Sequence, residues 1–564
     1  RLLLDVELVL VRCELTDGAA ASLAGSLRDL PLQYLKFVLG GNSKVGCPTG
    51  RALADSLFTL KTLCSVQLGF GKTSIGNDGA RVLREAVDAL RQLQNVHLDF
   101  RNTKITSHLL CGFRHGPHIR SFTLQLAGTT LEHRDRSGST KALEAFVAAT
   151  QLTVDLRMAS NIKGGVASLG AVLASAGNAE CVTLLLKAKS NGLGDREAQQ
   201  LAVGLVEKIR LAQLVIELEG WTQLSDEGLH QLFQPFARMV VLKVLHLNLA
   251  RTQLGSLAMS TLCRGLREAA SASMEELHLD VSSTLVGDDG LQVLGETLAL
   301  LSLLRAVTLG LGELQGCMSA LDVLGTGIGA AKVATVSVEL ENTQATDADI
   351  ELLVRGIASG SPTQIHLGLE GTNVTGCCMP ACVEALRQAS DLEDLSIDWK
   401  GCCLNDTAVA CLANGVLGGY LPLQAVYLVL ANTKVTQIGV QQLAEGLSRT
   451  RGIAHVAVDL SNCSQLQPAQ LQRYFNGTED LAAALAATWA VPRGAQEEMR
   501  VPTRIQRGEG ATQRPQNRRL ALVLAQAGFW GLGRGVVFFG VSCWRLLRVL
   551  AQLLGIVGRR PAMQ

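Results

Sequence analysis

A chain of 564 residues could hold about three or four ordinary domains or one extended core. Because 48% of its residues are hydrophobic but only 4% are aromatic, general disorder is excluded, and many small, similar packing contacts are favoured over a few aromatic-centred cores. The 51 basic and 50 acidic residues nearly balance, so the overall charge gives no reason to expect nucleic acid as a partner.

The first predicted element is a strand that begins within a few residues of Arg1, and the pattern that marks it recurs along the chain. Alternating apolar residues, in the order apolar-x-apolar-x-apolar, begin at sixteen positions with a mean spacing of about 30 residues. These positions are Val6, Leu35, Val66, Val96, Phe122, Leu152, Val182, Leu214, Leu245, Leu277, Val307, Val336, Ile365, Leu395, Val426 and Val456. The spacing lies in the range of leucine-rich repeats.

Each predicted strand leads through a polar turn into an alanine- and leucine-rich stretch with helical spacing, such as GARVLREAVDAL at residues 79–90. Helix-start signals stand just before several of these stretches, at Thr16-Asp17, Asn77-Asp78, Ser225-Asp226, Asp288-Asp289, Thr346-Asp347 and Asn405-Asp406. A short strand with a returning helix cannot bury its apolar face alone. Stacking on similar neighbours would bury it, which predicts a curved solenoid with a parallel sheet on the concave side and helices on the convex side.

The seventh residue after the first apolar position is small and able to form hydrogen bonds in twelve repeats. These residues are Cys13, Asn42, Thr73, Thr103, Thr129, Thr252, Thr284, Thr343, Thr372, Cys402, Thr433 and Cys463. We expect their side chains to point inward and to bond backbone groups of the adjacent turn, which stacking would otherwise leave unsatisfied.

The repeats LHLNLARTQLGSLAMSTLCRGL (residues 245–266) and IHLGLEGTNVTGCCMPACVEAL (residues 365–386) resemble the ribonuclease-inhibitor-like class of leucine-rich repeat proteins. The resemblance extends over roughly residues 6–475, although threonine usually replaces the cysteine of that class and Leu314 interrupts the series. It implies an α/β leucine-rich repeat solenoid, or horseshoe, of about 16 repeats at residues 1–476, with protein ligands. Similar solenoids also serve as GTPase-activating proteins and as sensor halves of nucleotide-dependent immune receptors, so a regulatory or sensor portion of a larger protein is the alternative.

After the last repeat, residues 477–519 are predicted to form a partly disordered linker, and residues 520–564 an apolar, basic helical tail. Arg534, Arg545 and Arg548 interrupt the tail, so a transmembrane helix is not expected. A basic amphipathic helix would instead make weak contact with an anionic membrane. A helix that caps the solenoid and a spurious extension of the coding frame are the competing interpretations.

The cysteine pattern bears on the cellular compartment. The 15 cysteines are scattered and odd in number, which predicts reduced thiols and a cytoplasmic location. Because the chain starts at Arg1 without a methionine, we expect it to be a fragment.

Catalytic and cofactor signals are weak. No nucleophile with an adjacent base stands on the repeat pattern, so the chain is predicted not to be an enzyme and to need no cofactor. The stretch GFGKTS at residues 69–74 resembles a phosphate-binding loop, but the first glycine that this motif requires would fall at Val66, inside a strand. His246 and His278 share one strand position in consecutive repeats, and we favour a solvated polar surface there over a metal site.

A candidate binding surface comes from the fourth residue of each apolar pattern. In every second repeat this residue is acidic: Asp99, Asp155, Glu217, Asp280, Glu339, Asp398 and Asp459. The alternation predicts a two-repeat unit and an acidic ridge on the concave face. A basic protein or peptide would bind this ridge, flanked by His246, His278 and His366. The competing interpretation is an inherited duplication with solvated carboxylates and no ligand.

Overall fold

A computed structural model describes residues 4–105, 118–129, 148–159, 163–187, 194–206, 208–316, 318–419, 421–450, 452–466 and 471–488. One compact unit spans Arg1–Ala490. The predicted tail at residues 520–564 and the predicted linker after residue 488 lie outside the described residues. The domain boundaries at residues 476 and 519 therefore stay predictions.

Sixteen parallel five-residue strands, β1 to β16, form one sheet in which each strand pairs in register with its neighbours along the chain. Their bounds are Asp5–Val9, Tyr34–Val38, Ser65–Gly69, Asn95–Asp99, Ser121–Gln125, Gln151–Asp155, Cys181–Leu185, Gln213–Glu217, Val244–Asn248, Glu276–Asp280, Ala306–Gly310, Thr335–Glu339, Gln364–Gly368, Asp394–Asp398, Ala425–Val429 and His455–Asp459. Each strand begins one residue before its predicted apolar position, which confirms all sixteen predicted strands and the leucine-rich repeat solenoid.

The described helices follow the strands. They are α1 Asp17–Gly25, α2 Cys47–Leu57, α3 Asn77–Asp88, α4 Lys163–Ser175, α5 Asp195–Leu205, α6 Asp226–Phe233, α7 Ser256–Gly265, α8 Asp288–Leu298, α9 Leu321–Ala330, α10 Asp347–Ala358, α11 Met379–Gln388, α12 Asp406–Gly415, α13 Gln437–Arg449 and α14 Thr478–Thr488. A 3₁₀ turn at Gln234–Arg238 extends α6, and a π-helical turn at Leu266–Ala270 extends α7.

One apolar core lies between the sheet and the helices. The second and fourth residues of each strand point into it, as Val66 and Leu68 do in β3, and the next inward residue continues the packing. The rings of Phe70 and Phe100 stack in consecutive repeats with centroids 6.0 Å apart. The first, third and fifth strand residues therefore face away from the helices. We call this side of the sheet the concave face.

The predicted threonine positions are buried, but most of their bonds differ from expectation. Eight threonine hydroxyls donate to the carbonyl three residues earlier in their own turn, namely Thr73, Thr103, Thr129, Thr252, Thr284, Thr343, Thr372 and Thr433. The predicted bond to the adjacent turn is wrong for these residues, because the short hydroxyl arm reaches its own turn first. Asn42, Cys402 and Cys463 do cross to the preceding repeat: Asn42 Nδ2 bonds Leu10 O at 2.7 Å, Cys402 Sγ bonds Leu369 O at 3.0 Å, and Cys463 Sγ bonds Leu430 O at 3.0 Å.

The helix-start dipeptides connect consecutive repeats. In four of the six dipeptides the first residue is the N-cap of its helix, as Ser225 is, whose hydroxyl accepts from the Gly228 amide. Asn77 and Asp288 are instead the first helical residues, after the N-caps Gly76 and Gly287. Several aspartates at the first helical position accept amides at the start of the next repeat's helix: Asp347 Oδ1 accepts from Gly376 N at 3.0 Å and from Cys378 N at 3.3 Å. The same relation joins Asp17 to Thr49, Asp195 to Ser225, Asp226 to Gly255 and Asp406 to Thr436.

The last strand closes the sheet differently. A short strand, β17 at Tyr474–Asn476, pairs antiparallel with β16 and buries Phe475. Helix α14 then buries Leu481 and Leu485, although its residues belong to the segment that the sequence assigns to a linker. The beginning of that segment is therefore helix, because Leu481 and Leu485, about one helical turn apart, pack on the apolar layer.

Glycines bring the helices of three repeats unusually close together. A Cβ added at Gly295 of α8 would lie 2.6 Å from Val323 O, and one added at Gly325 of α9 would lie 2.6 Å from Leu353 O. Real Cβ atoms do not approach backbone oxygens so closely, so the backbones of α8, α9 and α10 can touch only through glycine.

We expect Gly325→Ala to destabilise the protein by about 1 to 3 kcal/mol, because the added methyl group forces two helix backbones apart. The matched control is Gly25→Ala in α1, where nothing lies within 4 Å of the added Cβ. That variant should be neutral or slightly stabilising, since alanine is the better helix former. Urea midpoints measure both, and equal midpoints would contradict the close helix contact.

We expect Asp347→Ala to cost about 1 to 2 kcal/mol, because amides at the start of α11 lose their acceptor. The control is Asp322→Ala, which removes an exposed first-turn aspartate of α9. A midpoint loss no larger than that of the control would show that the inter-repeat bonds contribute nothing beyond the helix dipole.

Candidate partner-binding surface

The predicted acidic residues occupy one column of the concave face. Each is the last residue of its strand, in β4, β6, β8, β10, β12, β14 and β16. In-register strands lie about 4.8 Å apart, so successive acidic residues are separated by roughly 10 Å. His246, His278 and His366 occupy the third residue of β9, β10 and β13. The column crosses thirteen strands, so its two ends cannot belong to one compact site.

The aspartates of this column have a local structural role. In five of them a carboxylate oxygen accepts the backbone amide two residues later, at 2.8 to 3.0 Å: Asp99, Asp155, Asp280, Asp398 and Asp459. This is an Asx-type turn, which short acidic or amide side chains favour. Asn248 forms the same bond with Ala250, at 3.1 Å. Part of the acidic column therefore exists because the turn needs a short acceptor.

In part of the sheet the two-repeat alternation has a steric basis. Concave side chains lean over the following strand, and a Cβ at Gly310 would lie 2.5 Å from Asp280 Oδ1. A Cβ at Gly368 would collide with the Glu339 carboxylate. At these positions a large residue in one repeat lies beside a glycine of the next, as Val38 also lies beside Gly69. Elsewhere in the column the intervening residues are larger, namely Gln125, Leu185, Asn248 and Val429.

The ridge is not uniformly negative, contrary to the sequence prediction. Its own column contains no lysine or arginine, but the concave column two residues later does. Arg101 bonds both carboxylate oxygens of Asp99, at 2.9 and 2.8 Å, and Arg157 bonds both oxygens of Asp155, at 3.0 Å. Arg157 also lies 4.0 Å from Glu217. The amino-terminal part of the ridge is therefore largely neutralised.

A surplus of carboxylates remains on β12 to β14. Glu339, Glu341, Glu370 and Asp398 lie together, and Lys400 Nζ bonds only Glu370, at 2.6 Å. Burial raises the pKa of Glu341, and the charges of Glu339, Glu370 and Asp398 raise it further. Burial likewise raises the pKa of Asp398. Carboxylates that raise one another's pKa create a local negative potential.

His366 lies inside this group. Its Nε2 is 2.7 Å from Glu339 Oε1, and its Nδ1 is 2.7 Å from Ser396 Oγ. Burial lowers the pKa of His366, but the hydrogen bond and charge of Glu339 outweigh that effect, so the net shift is upward. Gly368 leaves the space through which Glu339 reaches the ring.

The other predicted histidines form a separate pair. The rings of His246 and His278 have centroids 5.3 Å apart. Burial lowers both pKa values, that of His278 to about 4, so the two rings are neutral at pH 7. In the described residues, no three or more His, Cys, Asp or Glu side chains are placed to hold a metal ion. His97, which the sequence analysis did not single out, occupies the same column on β4.

Burial also changes the pKa of two further acidic residues of the column. Burial is the main cause that raises the pKa of Glu217, and the same is true of Asp280, which is only 7% exposed. Among the described helices, none combines the length and apolar character needed to cross a bilayer.

Comparison with known proteins adds little. No family model matches the chain. No curated protein matches it either. Among solved structures, the chain is similar to an internalin, InlF, from Listeria monocytogenes strain 4b F2365, with 13% identity over 68% of this chain and 87% of that chain. The TM-score of 0.37 is too low to carry an argument, so the leucine-rich repeat assignment rests on the sixteen in-register repeats themselves.

We expect Glu339→Gln to lower the pKa of His366, because the main interaction that raises it is removed. Since folding raises this pKa, the protonated pair stabilises the fold below about pH 6.5, the ordinary histidine value, and loses that contribution as the pH rises through the raised pKa. Relative to the unmodified protein, the variant should therefore lose more stability at about pH 6 than at about pH 9.

Histidine NMR titration with urea midpoints at the two pH values measures this. His246 is the internal control and should titrate as in the unmodified protein. An unchanged pKa of His366 in the variant would contradict its pairing with Glu339.

Proposed function

We propose that the chain is a non-enzymatic protein-interaction scaffold that binds a basic partner on its concave face, with the contact centred on β12 to β14. The observation that supports this most is the group of four carboxylates there, Glu339, Glu341, Glu370 and Asp398, which among the described residues are offset by Lys400 and His366. An array of parallel strands presents such groups as a continuous surface suited to an extended segment or a protein face.

The predicted residues contribute unequally to this proposal. Glu339, Asp398 and His366 lie at its centre, and Asp280 lies two strands before Glu339. Asp99 and Asp155 are engaged by arginines and would attract a cation weakly. Partner selection thus depends on the carboxylates that lack an internal cation, because these leave an uncompensated potential on the surface.

The finer assignments belong to the same proposal. We infer the ribonuclease-inhibitor-like class, supported by the two-repeat alternation on the concave face. We also infer a reducing, cytoplasmic location, supported by the cysteines of the described residues, which are all free thiols.

A fluorescent deca-arginine peptide, with deca-glutamate as the opposite-charge control, tests the proposal. The variant combines Glu339→Gln, Glu341→Gln and Asp398→Asn, where asparagine keeps the turn acceptor as Asn248 does. We expect peptide association to slow by roughly tenfold at low salt and its salt dependence to flatten.

The matched control combines Asp99→Asn, Asp155→Asn and Glu217→Gln, which removes three carboxylates from the arginine-paired section. It should change association much less. Equal effects of the two triple variants, or none from either, would reject β12 to β14 as the binding region.

A further inference from the structure

Exposed aliphatic side chains cluster on loops away from the concave face. Ile209, Val240, Val241, Leu300 and Leu303 are 41% to 57% exposed. They lie in the loops that lead into β8, β9 and β11. Single exposed aliphatic residues are common on protein surfaces, but five on the loops that enter four consecutive strands, β8 to β11, call for an explanation.

These loops lie on one edge of the sheet. Backbone bonds join their ends in series: Lys243 N donates to Ala212 O, Glu275 N to Lys243 O, and Arg305 N to Glu275 O, at 2.7 to 2.8 Å. Because the strands are parallel, all of these loops approach the sheet from the same side. The entry points of β8 and β11 are three strand spacings apart, or about 15 Å.

The same edge carries positive charge. Arg210, Arg238 and Arg305 are exposed, and none forms a salt bridge within the described part of the chain. Lys243 pairs with Glu275 at 3.0 Å. The exposed carboxylate of Glu180 stands at one end of this edge. Among the described residues of this edge, these four cations outnumber the carboxylates of Glu180 and Glu275. We call the five aliphatic residues with Arg210, Arg238 and Arg305 the basic apolar rim.

The geometry points to a bilayer rather than a protein as the occupant. The aliphatic residues belong to loops along one edge of the sheet, where an extended surface rather than a small pocket is the matching partner. Aliphatic side chains can enter the boundary between lipid headgroups and acyl chains, while guanidinium groups bind phosphate oxygens beside them. We propose that the basic apolar rim docks the protein on an anionic phospholipid membrane. This inference is independent of the concave-face function.

The test measures partitioning of the full chain onto phosphatidylserine-containing vesicles and onto pure phosphatidylcholine vesicles. One variant combines Arg210→Gln, Arg238→Gln and Arg305→Gln, and a second combines Val240→Ser, Leu300→Ser and Leu303→Ser. We expect each to lower the partition coefficient on phosphatidylserine vesicles by at least about tenfold. Replacing the same three arginines by lysine should retain binding, because the charge is kept.

The matched control combines Arg28→Gln, Arg51→Gln and Arg196→Gln, which removes three exposed arginines from other parts of the surface. It should bind as the unmodified protein does, and urea midpoints check that every variant is folded. All variants keep residues 520–564, so a difference reports the rim alone. Unchanged partitioning of both rim variants overturns the proposal, and residues 520–564 are then the membrane-binding segment. An unmodified protein that shows no preference for phosphatidylserine also overturns it, and an acidic protein is then the remaining occupant.

Discussion

Stacking of each repeat on its neighbours is the interaction on which the rest of this structure depends. A five-residue strand and one helix have too little apolar surface to form a core of their own, so each repeat is completed by the next. The polar groups follow the same rule, since Asp347 satisfies amides of the following repeat. Where the helices come closest, as at Gly325, even a single Cβ does not fit.

The concave face inherits its pattern from that stacking. In-register strands arrange the side chains in columns, and each side chain must fit beside those of the adjacent repeats. Local structure then determines many of the residue types in the column. Aspartate accepts the turn amide, and glycine leaves space for a large neighbour. On β12 to β14, four carboxylates gather around one lysine of the next column, and negative charge remains there.

The strands were predictable because a period of two residues recurs about every 30 residues, and the sixteen starts agree to one residue. The charge of the ridge was not predictable from its own column, because Arg101 and Arg157 belong to a different column and reach back to bind its aspartates. A sequence pattern specifies the face on which a side chain lies but not the direction in which it leans. Likewise, β17 has only three residues, too few for a periodic signal, and the exposure of Leu303 depends on its loop conformation.

Amide hydrogen exchange along the sheet tests the stacking account most directly. Strand β1 pairs with one neighbour and has half-exposed inward residues, whereas β9 and β13 each pair with two and bury theirs. If each repeat is held by its neighbours, the amides of β9 and β13 should exchange far more slowly than those of β1. Protection in β1 equal to that in β9, or an interior strand that exchanges as fast as β1, would contradict the account.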